Sequence, residues 1–302
     1  MNTQSNAIPW SVDAQRIAPT VISATRPFYW SVRRELWENR SVYIAPLAVA
    51  AVTVFGYLIA TMGYVMSTAN LAQRRAALEG PYSFAMGLIM GTAFIVSIFY
   101  SLEALHGERR DRSILFWKSM PVSDLVVVLS KASIPLIVLP LLSFATVVVA
   151  ELIMLSLASV VLMGSGLSVA TLWTPVFQMS LMLLYHLVTV HMLWYAPMYG
   201  WLLLVSSWAR RAAFLWAALP WLAIGVVEKI AFNTTHFAAW AGYRFSGDAA
   251  GGSFMGDNGS MDPLMHLTPG KFLITPGLWI GLAFFAACII ATARLRRYQG
   301  PI

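Results

Sequence analysis

The chain has 302 residues, of which 59% are hydrophobic and only 11% charged, and its mean hydropathy is +0.69. Soluble domains carry about 25% charged residues, so the composition excludes an ordinary soluble globule and suggests division by the ~20 apolar residues that one bilayer crossing needs. A net charge of +7 would suit nucleic acid, but the basic residues cluster beside the apolar runs; they report membrane topology, and no nucleic-acid partner is expected.

Residues 1–25 are mixed and polar and read as a cytoplasmic tail. No h-region with a small-residue cleavage site occurs in the first forty residues, so no cleaved signal peptide is expected. Residues 26–41 read as an amphipathic interfacial helix. Pro27 suits its start, Tyr29, Val32 and Leu36 recur at helical spacing, and Trp30 and Trp37 flank that stripe. The remainder, 42–302, divides into six apolar runs. The first covers 42–66. A polar stretch with Arg74, Arg75 and Glu79 follows, and Gly80-Pro81 should break the chain before the second run, 82–105. The third run, 125–163, exceeds one crossing, with Pro135 and Pro140 expected to kink its first half. The fourth, 176–208, is also long and carries Pro197; the over-long runs leave room for a re-entrant turn. The fifth covers 212–232, an outer loop spans 233–271, and the sixth, 272–293, is closed by Arg294, Arg296 and Arg297.

The expected fold class is all-α: a polytopic membrane protein with six transmembrane helices, both termini on one side. Placing the tail and interfacial helix, the 106–124 loop with Lys131 just beyond it, the loop after the fourth run and the C-terminus in the cytoplasm leaves only Arg74, Arg75, Lys229, Arg244 and Lys271, of 20 Lys+Arg, outside. That distribution follows the positive-inside rule. A bacterial inner (plasma) membrane is the expected location.

The most informative stretch runs Glu108-Arg109-Arg110-Asp111-Arg112-Ser113-Ile114-Leu115-Phe116-Trp117-Lys118-Ser119-Met120-Pro121-Val122-Ser123 and on to Lys131. It is a charged link followed by a short helix with Ile114, Trp117 and Met120 at spacing three. Pro121 stops that helix, and Ser123 or Asp124 can cap the next. Large apolar residues on a basic face suit insertion into a groove on a soluble partner. Resting on the lipid surface is the alternative, and spacing does not choose between them.

The stretch resembles the coupling loop of ABC exporter permeases of the second type, whose pattern is roughly E-R-x-x-G-[ST]-L-x-x-L-L-x-x-P-[VL]-S with a Lys about eight residues on. Glu108, Arg109, Ser113, Ile114, Pro121, Val122, Ser123 and Lys131 match; Arg112 stands at the usual Gly, Leu115 where an acid is common, and Trp117 and Lys118 at the leucine pair. The overall plan is similar too: elbow helix, six spans, the loop after span two, and Leu204-Val205-Ser206-Ser207-Trp208-Ala209-Arg210-Arg211 between spans four and five. The resemblance implies a permease subunit, not itself an enzyme, powered by two copies of a separate ABC ATPase that bind the ATP and Mg. It implies a second permease protomer, homo- or heterodimeric, embedded in lipid, and no cofactor bound by this chain. None of Lys118, Lys131, Lys229 and Lys271 ends a G-x-x-x-x-G-K-[ST] run. Glu108, Arg109, Arg110, Ile114, Trp117, Met120 and Pro121 are the expected coupling residues, with Arg109 or Arg110 pairing with acids on the partner and Trp117 as its buried anchor.

Ionisable groups inside the spans merit a functional reading. Glu151 could line a path or hydrogen-bond a neighbouring helix. His186 and His191 are candidates for the path; at 100° per residue they stand about 140° apart, on different faces, which argues against a haem or copper pair. Glu103 and His106, at spacing three, read as an interfacial polar cluster, since the Glu-x-x-His of di-metal bundles has no second copy here. No metal site is expected: the 15 Met residues fit adaptable apolar cavities better than a copper route, and the outer loop lacks D-x-[DN]-x-[DN]-G. Glu228-Lys229 reads as an interfacial charged pair, and the outer loop as a gate or cap. Cys288 has no partner for an internal disulfide. An ATP-independent secondary transporter, a membrane-embedded enzyme using Glu and His residues, and a non-transporting membrane protein are the other classes. Against the enzyme, H-E-x-x-H and G-x-S-x-G are both absent.

Overall fold

The computed structural model describes residues 25–65, 71–119, 122–162, 170–246 and 269–298. Among them every regular element is helical, and six helices are long and apolar enough to cross a membrane. The elements are α1 (Thr25–Glu38), α2 (Ser41–Val65), α3 (Leu71–Glu103), α4 (His106–Arg110), α5 (Ser113–Ser119), α6 (Asp124–Ser133), α7 (Leu139–Leu162), α8 (Ala170–His186), α9 (Ala196–Trp208), α10 (Ala213–Phe232), α11 (His236–Ser246), α12 (Pro269–Ile274) and α13 (Pro276–Tyr298).

Helix α1 is amphipathic, but its inward face differs from the expected stripe. Val32 and Leu36 pack on the bundle, while Tyr29 stays 59% exposed with Trp30 and Trp37, and Arg33 lies over both indoles. The reason is Glu35, which is buried between Val32 and Leu36 and sets which side of α1 turns inward.

Prolines shape the spans in two ways. Pro46, Pro81 and Pro220 sit inside continuous helices. The break expected at Gly80-Pro81 does not occur: α3 runs through it. Proline removes one ladder bond, a loss that an apolar helix tolerates when nearby side chains re-satisfy the backbone. The carbonyl that Pro81 leaves without its ladder partner is that of Ala77, one turn earlier, and α3 continues through it. In the two over-long runs the ladder itself changes. Residues Ile134–Val138 between α6 and α7, and Leu187–Trp194 between α8 and α9, are π-helical. Pro135 cannot donate, and the bonding shifts to i→i+5, with the Leu139 N–H reaching the Ile134 carbonyl and the Tyr195 N–H reaching Val190 at 2.9 Å. Each run thus carries a π segment and no re-entrant turn among its described residues. The first π segment also changes the neighbours: α6 packs on α1 and α13, α7 on α2 and α3.

Part of the expected outer loop is also helical. Asn233 turns the chain in the left-handed region (φ 50°), and α11 folds back beside α10, with Trp221 and Trp240 stacked 5.9 Å apart. Glu228, expected to pair with Lys229, instead caps α11: its carboxylate accepts from the Thr234 hydroxyl and from the His236 and Phe237 N–H groups at 2.7–2.8 Å. The first turn of a helix leaves N–H groups without intrahelical partners, and an acid there is favoured. Residues 247–268, with Asp248, Asp257 and Asp262, lie outside the described residues.

The bundle has no water-driven reason to close on itself inside lipid, so close packing must hold it. Its tightest seam joins α9 and α13, where Gly200 faces Phe285 and Cys288: a Cβ there would stand 2.7 Å from the Phe285 ring. Gly200→Val is expected to cost about 1–3 kcal/mol by overpacking, read as a lowered unfolding midpoint in detergent. An unchanged midpoint would mean the seam is loose.

Candidate functional site

Helix α3 ends at Glu103, and beyond Ala104 the N–H groups of Leu105 and His106 both donate to one hydroxyl, that of Ser206 on α9 (3.1 and 3.0 Å). The fully buried Ser206 therefore holds the chain at the break where α4 begins. Ser123 caps α6 as expected, accepting from the Val126 N–H.

Helix α4 turns Glu108 and Arg109 inward. The Arg109 guanidinium donates to the Ser207 carbonyl at 2.6 Å and is 7% exposed, so its charge is spent on the end of α9 and not offered outward. Glu108 reaches the Arg296 guanidinium with one oxygen and the Lys131 ammonium with the other at 3.1 Å. Lys131 also meets Glu35 at 2.7 Å, Tyr100 donates its hydroxyl to Glu35 at 2.8 Å, and Arg296 Nε meets Asp124 at 3.2 Å. One network of two cations, three carboxylates and a phenol thus joins α1, α3, α4, α6 and α13.

The outward side is different. Arg110, Asp111, Arg112, Leu115, Lys118 and Ser119 are exposed, Leu115 at 57%. Arg110 pairs with Glu103 at 3.0 Å and with Asp111 at 3.2 Å, leaving His106 3.8 Å from Glu103, beyond hydrogen-bond reach. Ile114 is 2% exposed and packs inside the chain, so it anchors α5 to its own bundle. Of the remaining expected residues, Trp117 belongs to α5 but its side chain lies outside the described set, as do Met120 and Pro121. Arg112 takes a left-handed conformation (φ 59°), the geometry that favours glycine.

Glu151, His186 and His191 are far from this loop. Glu151 is buried and accepts from the Ser180 hydroxyl of α8 at 2.8 Å, the neighbouring-helix bond of the two readings. The two histidines correct the expectation that they occupy different faces: their rings meet edge-on, centroids 5.8 Å apart. The 100° step fails because His191 lies in a π segment, whose wider turn sets residues five apart over one another. Tyr195 and Phe94 extend the ladder at 5.6 and 5.1 Å. Among the described residues no three of His, Cys, Asp and Glu converge as a metal-holding group.

Sequence reasoning missed the roles of Glu35, Tyr100, Asp124, Lys131, Ser206 and Arg296. Two signals were present: an acid between Val32 and Leu36, and a lysine inside an apolar run, which requires a carboxylate partner. Compared with protein-family models, with curated proteins and with solved structures, the chain matches none of them.

Removing one member of a buried ion network strands the others, at about 3–5 kcal/mol, whereas replacing both partners recovers much of that. Lys131→Met is therefore expected to destabilise strongly, and Lys131→Met with Glu35→Gln less than the sum of the two, in a double-mutant cycle of unfolding midpoints. Strict additivity would show that the pair is not coupled. Arg112→Gly relieves a left-handed backbone and should be neutral or stabilising by up to about 1 kcal/mol on the same measurement; a clear loss would mean that the Arg112 side chain contributes to the fold.

Proposed function

We propose that the chain is the membrane permease subunit of an ATP-driven exporter resembling the ABC exporters of the second type. It works with a second permease protomer and two copies of a separate ATPase, which bind the ATP and Mg, and it hydrolyses nothing itself. The carrying observation is the two-sided α4–α5 loop between the second and third apolar helices. Its inner side is tied to α6 and α13 by Glu108 and to α9 by Arg109, with Ile114 buried beside them, while its outer side presents Leu115 among Arg110, Arg112 and Lys118. A loop that only rested on lipid would have no use for so many inward ties. A loop that transmits force needs both a docking face and a rigid attachment.

Further support comes from the left-handed Arg112, at the position where the resembled pattern has glycine, and from the Ser206 and Ser207 contacts that join the two cytoplasmic segments of that plan. ATP-driven closure of the ATPases would move α4–α5 and bias the spans between two arrangements. The protomers meet across apolar helix faces such as that of α10, whose only buried residue is Ala217. The loop faces the cytoplasm of a bacterial inner membrane with both termini, as the basic residues indicate. An ATP-independent transporter is the second reading. The touching His186 and His191 favour it, as ionisable groups in a span, and it would move substrate without the ATPase.

Leu115→Asp, or Trp117→Ala, is expected to weaken binding of the co-purified ATPase about tenfold or more and to abolish its stimulation. The Leu115→Asp permease should unfold within about 0.5 kcal/mol of wild type, as substitutions at exposed positions do. Unchanged binding and stimulation in both variants would remove the coupling role, and a chain that purifies alone from native membrane in lipid nanodiscs would remove the ATPase.

A further inference from the structure

At the end of the bundle away from α4–α5, a cavity of about 510 Å³ opens between α9, α10, α11 and α13. Its walls are largely aromatic: Trp201, Trp221, Phe237, Trp240 and Tyr243. One cation lines it. Arg244, in the last turn of α11, lies 4.0 Å over the Trp194 ring and donates to the Gly277 carbonyl at 3.2 Å. Its Nη2 makes no hydrogen bond, and no carboxylate reaches the guanidinium among the described residues. The position is built for it: a Cβ at Gly281 would collide with Nη2, and Trp194 and Tyr195 fix the α11 terminus by donating to the Arg244 and Phe245 carbonyls at 2.9 and 2.8 Å.

Depth decides the class of ligand. Along α13, Gly277 stands 19 residues before Arg296, roughly 28 Å at 1.5 Å per residue, close to the ~30 Å of a bilayer's hydrocarbon core. With Arg296 near one membrane surface, Arg244 lies at the headgroup level of the other. Aromatic side chains concentrate at that level, and a greasy cavity with one cation in its wall matches a molecule with acyl chains and an anionic head.

We propose that this cavity binds an anionic amphiphile, a phospholipid of the leaflet opposite the α4–α5 loop, whose headgroup supplies the counter-charge that Arg244 does not find among the described residues. The aromatic walls hold the upper acyl chain, and the guanidinium selects the charge by charge-assisted hydrogen bonding. The site is separate from the coupling loop and holds whether or not an ATPase drives the protein.

The test is native mass spectrometry of the purified full chain, titrated with dioleoyl phosphatidylglycerol and with dioleoyl phosphatidylcholine, which share acyl chains and differ in net charge. One phosphatidylglycerol should bind about tenfold more tightly than phosphatidylcholine. Arg244→Gln should reduce that preference to about threefold or less, Arg244→Lys should retain most of it, and Trp240→Ala should weaken both lipids alike. Equal affinities in the wild-type chain would overturn the proposal without any variant. So would an unchanged preference in Arg244→Gln, or full displacement by inorganic phosphate, which would mark a plain anion site. Tighter phosphatidylglycerol binding after replacing Asp248, Asp257 and Asp262 by Asn would also overturn it, since the guanidinium would then already be satisfied by its own chain.

Discussion

The ammonium of Lys131 sits on a helix packed into the bundle, where an unpaired charge would cost several kcal/mol, and it is tolerated because Glu35 and Glu108 meet it at 2.7 and 3.1 Å. That one requirement explains much of the surrounding structure. It turns α1 so that Glu35 points inward, which leaves Tyr29, Trp30 and Trp37 outside. It draws α4 under the bundle, because Glu108 has no other way to reach the lysine. Glu108 in turn shares Arg296 with Asp124, which fixes the end of α13 to the start of α6. Buried ion networks are weak evidence for stability, since an apolar core of the same shape often does as well. Their role here is geometric: the contacts of Lys131 and Arg296, with the carboxylates they meet, tie five helices together at this end.

The π segments supply the opposite property. A widened turn leaves the i→i−4 ladder at a defined point, and such turns favour functional positions. Both occur beside prolines, Pro135 and Pro197, in the two runs that are too long for one crossing. In the first, the change of ladder lets α6 lie against α1 and α13 while α7 serves α2 and α3. In the second, it brings His186 and His191 together and carries the ladder on to Tyr195.

Much of the architecture was legible in the sequence, since apolar length is read directly: six runs gave six long apolar helices, and the Ser123 cap fell where spacing placed it, whereas α1 turns a different face inward than its spacing suggested. The failures share a cause. A proline in a sequence reads as a break, yet whether it breaks, passes or widens a helix depends on neighbours that re-satisfy the backbone; Pro81 passes and Pro135 widens. The histidine geometry failed because a fixed 100° step assumes an α-helix throughout. The network was hidden for another reason. Its members lie as far apart as Glu35, Lys131 and Arg296, and with one sequence only the lone lysine in an apolar run hints that distant carboxylates must exist. Glu228 was misread because Lys229 is adjacent in sequence, while the N–H groups of α11 are adjacent in space.

The two ends of the molecule are joined by helices of unequal regularity. Helix α13 runs from Pro276 to Tyr298 without an internal proline or a π turn, and it is seamed to α9 through Gly200. Arg296 ties one end of it to the α4 loop, and Gly277 and Gly281 carry Arg244 near the other. The α6–α7 and α8–α9 runs are each interrupted by a π segment and can absorb displacement locally. A displacement of α4 that keeps the Glu108–Arg296 pair intact must therefore carry α13 along as one rod. The aromatic cavity is bounded by α13 on one side and by the α10–α11 hairpin on the other, so its width depends on where that rod lies. A ligand bound there would favour one position of α13, and by the reciprocity of linked equilibria the loop's position would set the ligand's affinity.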